Sequence, residues 1–127
     1  MTRLLKRALV GVTLTSTLLL SACGLFAEQK TAANEFFEVL STDVTAAYEM
    51  TAPEFKEIST QEDLQVFVDM YPETLDVVNL RFTNMDMDNN YTELLGTITY
   101  GTGYSETVGV YLYKSDVWRI GGFEMGI

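Results

Sequence analysis

The spacing of apolar side chains changes once along this chain, at Pro72, and that change constrains the fold more than any other feature. Before it the spacing is helical. Ala32, Ala33, Phe36, Phe37 and Leu40 recur at three- and four-residue steps on a helix that begins at Glu28, with Glu28, Glu35 and Glu38 outside. Ser41-Thr42-Asp43 interrupts it and offers a cap to a short second helix carrying Val44, Ala47 and Tyr48. Thr51-Ala52-Pro53-Glu54 reads as a capping box with proline in the first turn, opening a single helical turn through Phe55. Thr60-Gln61-Glu62-Asp63 opens another helix in the same way, with Asp63 in place of the usual Glu. Its apolar stripe is Leu64, Phe67, Val68 and Tyr71.

Beyond Pro72 the period is two. Val78, Leu80 and Phe82 alternate with Asn79 and Arg81 in a first strand, and Asp86 to Asn90 reads as a polar turn. Leu94, Gly96, Ile98 and Tyr100 share one face of a second strand, and Gly101-Thr102-Gly103 connects it to a third. There Val108, Val110 and Leu112 point one way, Tyr111 and Tyr113 the other. Ser115-Asp116 leads into a fourth strand from Val117 to Phe123, with Trp118 and Ile120 inward and Gly121-Gly122 as a bulge or bend. Helices first and an antiparallel meander second define an α+β layout, in which N-terminal helices pack on a curved four-stranded antiparallel sheet. There is no internal repeat and no low-complexity segment.

The residue types present remove several chemistries. There is no histidine, so there is no histidine-based triad and no imidazole metal ligand. Gly101, Gly103 and Gly109 lie on hairpins and strands without a following helix, which is not a phosphate loop. Asn84, Asp86, Asp88 and Asn90 alternate in a way reminiscent of a calcium loop, but neither count along the chain puts Gly at position six or Glu at position twelve. Met50, Met70, Met85, Met87 and Met125 lack the clustered spacing of a copper site and read as packing residues. The sequence therefore points to no metal and no cofactor. Past the first few residues, Lys30, Lys56, Arg81, Lys114 and Arg119 oppose all eighteen acids, a balance that disfavours nucleic acid and anionic lipid; it reads as a heavily hydrated surface, with a basic partner or a cationic ligand as the sharper alternative.

The first segment reads differently from the rest. Arg3, Lys6 and Arg7 precede any acid, and an apolar stretch follows from Ala8 to Leu20. As a helix that stretch would be roughly 20 Å long, short of the ~30 Å hydrocarbon core, which fits a secretory signal peptide. The residues that follow, Leu20-Ser21-Ala22-Cys23, resemble the lipobox of bacterial lipoproteins. The resemblance implies a diacylglyceryl group on the sulfur of Cys23, the chain's one cysteine, and cleavage that leaves Cys23 first. It thus implies a signal peptide over residues 1–22, a lipidated terminus and tether over 23–27, and a single α+β domain over 28–127. Two acyl chains anchor far more stably than one. The implied location is the bacterial cell envelope. Because Gly24 is not the Asp that retains such proteins in the inner membrane, the outer membrane is expected if the host has two.

The mature part, through Ala32 to Lys56 and Asp116 to Met125, also resembles the cystatin-like, SnoaL-like cone of the nuclear-transport-factor-two-like superfamily, whose last strand commonly carries a Trp-Lys/Arg-Ile segment like Trp118-Arg119-Ile120. Such a cone can enclose a pocket between helices and sheet, and Tyr48, Phe55, Phe67, Tyr71, Tyr100 and Trp118 are the residues expected near it; ordinary core packing is the other reading of all six. The superfamily includes isomerases and dehydratases as well as anchored domains without chemistry, and fold alone does not choose. An isomerase would need a carboxylate, from Asp43, Asp69 or Glu93, and a buried donor such as Tyr48 or Tyr100. With histidine missing and Cys23 acylated, the expectation is a non-catalytic, membrane-anchored domain that binds an envelope protein or a small ligand. A small isomerase or dehydratase is the alternative. A third reading, motivated by Tyr111 and Tyr113, is a subunit that assembles through its sheet face.

Overall fold

The first helix, α1, spans Ala27–Leu40 and buries Gln29, Ala33, Phe36, Phe37 and Leu40 along one side. The structure is a computed structural model that describes residues 26–127, so the signal segment and the Leu20-Ser21-Ala22-Cys23 motif lie outside the described residues. Asp43 caps α2, Val44–Glu49, by accepting the Ala46 N–H at 3.0 Å. Pro53 opens α3, Pro53–Ile58. Thr60 and Asp63 form a complete capping box on α4, Gln61–Met70, with reciprocal bonds of 3.1 and 2.8 Å. A 3-10 turn, Pro72–Leu75, leads into the sheet.

The expected capping box at Thr51 is not formed. Ala52 is the residue that precedes α3, and it makes no side-chain cap. The Thr51 hydroxyl donates instead to the Tyr48 carbonyl, and its backbone bridges Ile120 in parallel. The Ala52 N–H donates to the Ile120 carbonyl and the Ile120 N–H to the Met50 carbonyl, so this linker covers part of one sheet edge.

Four antiparallel strands follow in the order β1-β2-β3-β4: Val77–Asp88, Tyr91–Tyr100, Ser105–Lys114 and Trp118–Met125. Two features of β1 correct the expectation from alternation. Val77 pairs with Tyr100 and Asn79 with Thr99, which leaves Val78 as a bulge residue, 61% exposed rather than inward. A second bulge at Thr83 resets the faces, and the strand then runs on through Asp86, Met87 and Asp88 opposite Glu93, Thr92 and Tyr91. The polar turn expected over Asp86 to Asn90 is therefore only Asn89-Asn90, with Asn89 at φ 52° in the left-handed region that asparagine tolerates.

Leu94, Ile98, Tyr100, Val108, Val110, Leu112 and Ile120 form the inner face of the sheet and are buried against Phe36, Phe37, Leu40, Leu64 and Val68 from the helices. Each such large side chain contributes about 1.5–3 kcal/mol on leaving water. The bulge expected at Gly121-Gly122 falls at Gly121: Tyr111 pairs with Gly122 but Leu112 pairs with Ile120.

Candidate functional site

Strict alternation along β4 would turn Trp118, Ile120, Gly122 and Glu124 toward the helices. The extra residue at Gly121 shifts the phase by one, so that Phe123 and Met125 point inward instead. Phe123 enters the space between helices and sheet and meets three rings. Its centroid lies 5.5 Å from Phe36, 5.6 Å from Phe37 and 5.1 Å from Phe67. Phe36 and Phe37 meet edge-on at 5.3 Å. These four phenyl groups pack together between helices and sheet, where a cone of this fold could enclose a ligand. Phe123 was not among the residues expected there; the signal was the Gly121-Gly122 pair, whose effect on the inward phase has to be counted across the bulge.

The six aromatic residues expected at one pocket are distributed over several places. Phe55 and Phe67 share a small cleft of about 260 Å³ with Gly121, Gly122 and Phe123. Tyr48 adjoins Phe55 with its hydroxyl donated to the Ser59 carbonyl at 3.0 Å, and Tyr71, 45% exposed, adjoins Phe67. Tyr100 is fully buried elsewhere. Its hydroxyl donates to Glu106, and burial first, then that carboxylate, push its pKa well above the usual tyrosine range. The isomerase pairings do not assemble. Asp43 caps α2, Asp69 accepts from Gln65 at 3.0 Å on an exposed helix face, and Glu93 accepts from Tyr91 at 3.1 Å on the outer face of the sheet. None of the three is bonded to Tyr48 or Tyr100, whose hydroxyls are already committed. Asn84, Asp86 and Asp88 lie on an extended strand, where alternate residues stand nearly 7 Å apart and do not wrap an ion.

Trp118 lines an open groove of about 670 Å³ between the start of α1 and the β3–β4 turn. Its lining is part apolar, from Ala32, Met50, Val117, Trp118 and Ile120, and part charged. The Lys114 ammonium sits 5.7 Å from the centre of the Trp118 ring. Arg119 reaches Asp116 at 3.8 Å and the Glu49 carbonyl at 3.4 Å. Asp116 accepts from the Ser115 hydroxyl and from the Val117 N–H, and these bonds, the Ser115 one foremost, hold its carboxyl below the usual range. Glu28 and Glu35 face it from α1. The groove has the size of a ligand site and the mixed polarity that orients a bound molecule.

Among the described residues, no helix is long and apolar enough to cross a membrane. No family model matches the chain, and no curated protein matches it either. The fold is similar to that of a "Putative NTF2-like transpeptidase" from Campylobacter jejuni, whose crystal structure at 2.00 Å resolution aligns with a TM-score of 0.50 over 72% of this chain and 95% of that one, at 13% identity. At that identity the likeness speaks for fold and not for chemistry. The chain thus has the NTF2-like, cystatin-like α+β fold: four antiparallel strands in one sheet, with the helices preceding them in sequence.

Proposed function

We propose that this chain is a lipid-anchored, extracytoplasmic binding domain of the bacterial envelope that performs no chemistry of its own. Phe123 carries the non-catalytic part of the reading: its ring occupies, with Phe36, Phe37 and Phe67, the interior that an isomerase of this fold would need for substrate. Binding is then left to the surface, where the Trp118 groove has the volume for a small ligand or a partner's side chains. The anchored part of the reading is supported by Leu20-Ser21-Ala22-Cys23 after a short apolar run. Gly24 supports the outer membrane where the host has two.

The test is proton exchange. Protein purified from membranes in neutral detergent is incubated with small enolisable ketones in deuterium oxide, and the α-protons are followed by NMR. The expected result is exchange no faster than in buffer. Exchange that is catalytic and lost in Tyr100→Phe would establish an isomerase-type site and overturn the reading.

A further inference from the structure

The outer face of the sheet has a composition that its fold does not require. Pairing across β1, β2 and β3 sets Asp88, Tyr91 and Tyr113 in one row and Asp86, Glu93 and Tyr111 in the next. Among the described residues no helix covers these rows, because the helices pack on the opposite face. The Tyr91 and Tyr113 rings lie 5.0 Å apart. Tyr113 lies down on Gly121, where an added Cβ would stand 2.4 Å from Cδ2 of that ring. The Tyr111 hydroxyl reaches to 3.0 Å from the corresponding position on Gly109. Glycine beneath them lets the tyrosines lie along the sheet.

Carboxylates frame these rings. Glu93 accepts the Tyr91 hydroxyl at 3.1 Å, and Glu124 lies beside Tyr111. Asp86 stands directly opposite Glu93, an arrangement of like charges that costs energy unless a cation intervenes. The one cation in the first row, Arg119 opposite Tyr113, is already held by Asp116 and the Glu49 carbonyl. From β1 to β3 the face spans about 10 Å, two inter-strand gaps of about 4.8 Å, and Asp86 and Glu93 line a shallow concavity on it with Phe26 and Leu95. A single small cation would cover only part of it.

We propose that this face docks a basic segment of another polypeptide, with lysine or arginine side chains lying on Tyr91, Tyr111 and Tyr113 and paired with Asp86, Asp88 and Glu93. Aromatic faces attract such cations, and the charge is complementary. The proposal rests on the reading of the chain as a binding domain and is independent of the lipid anchor.

The experiment measures fluorescence anisotropy of a labelled alternating Lys-Ala decapeptide against the full chain in neutral detergent, with a Glu-Ala decapeptide as control. The Lys-Ala peptide alone should bind, and binding should weaken with salt. Asp86→Asn/Glu93→Gln should weaken it about tenfold, which is the loss of about 1.4 kcal/mol. Tyr113→Leu should weaken it severalfold. Glu54→Gln/Glu57→Gln, which removes two exposed acids from α3, should leave it unchanged, and circular dichroism should show every variant folded. No binding, or equal loss in the α3 variant, would overturn the proposal, the second because net charge alone would then explain it. Sedimentation showing a dimer that is lost in Tyr113→Leu would overturn it in favour of a second copy. None of these outcomes touches the non-catalytic reading, which stands or falls on ketone exchange.

Discussion

Phe123 meets Phe67 at a ring-centroid distance of 5.1 Å and an interplanar angle of 79°, and the contact exists because Gly121 is left out of the β3–β4 pairing. One unpaired residue on an edge strand thereby exchanges Gly122 and Glu124 for Phe123 and Met125 on the inner face. The Phe123 ring packs against the core. The bulge is thus the local feature on which the functional reading turns, and it makes the following outcomes specific.

Phe123→Ala should empty the middle of the aromatic cluster. Truncation of a packed phenylalanine costs about 3–5 kcal/mol, toward the low end here because Phe123 is half-buried. Urea unfolding should show this loss. The cavity left behind is apolar, so the variant should also bind benzene where the parent chain does not. A loss below about 1 kcal/mol would mean that the ring does not fill the interior.

Gly121→Ala and Gly122→Ala should differ although the residues are adjacent. A methyl at Gly121 would stand 2.4 Å from the Tyr113 ring, whereas at Gly122 its nearest neighbour is Tyr111 Cδ2 at 3.8 Å, an ordinary contact. The first should cost about 1–3 kcal/mol as Tyr113 is displaced, and the second should cost little. Thermal unfolding of the two variants side by side is the measurement.

The difference between these neighbours also shows what was legible in the sequence. The helix faces and the order of the meander follow from local spacing, and Gly-Gly marked the bulge on β4. The bulges at Val78 and Thr83 carry no such mark, since neither residue is one that a bulge demands. Asp86 to Asn90 reads as a turn because it is polar. It is mostly strand because its two-residue period continues, with Met85 packed on the core, Met87 turned to Gln29 of α1, and Asp86 and Asp88 outward. Thr51 matched a capping pattern, but its hydroxyl and backbone are taken by Tyr48 and Ile120, and the second of these is a partner no local window contains. At the candidate site, Trp118 and the Phe55–Phe67 pair were visible as aromatic residues on known faces. Phe123 was hidden by a phase that has to be counted through Gly121.

Alkaline pH should destabilise the fold over a defined window. Burial first, and then the bond to Glu93, push Tyr91 from its ordinary 10.0 up to about 12. Tyr100 and Tyr111 are raised as well, again foremost by burial. The unfolded chain loses these protons first, so between pH 10 and about 12 it binds fewer protons than the folded chain and stability falls as pH rises. Below pH 10 the contribution is intact. Tyrosinate absorbance should show a group of late-titrating tyrosines, and Glu93→Gln should move Tyr91 earlier.

The capping box of α4 predicts a modest, local effect. Thr60→Ala removes the acceptor for the Asp63 N–H and should cost about 1 kcal/mol. Thr60→Ser, which keeps the hydroxyl, should restore most of it, as read by the thermal midpoint.

The most direct test of the account as a whole is the intact mass of the protein recovered from the membrane fraction of the organism that makes it. The account predicts a chain that begins at Cys23 and carries a diacylglyceryl group there, with the modification and the membrane association both lost in Cys23→Ala. A chain that retains residues 1–22, carries no lipid and is recovered from the cytosol would contradict it.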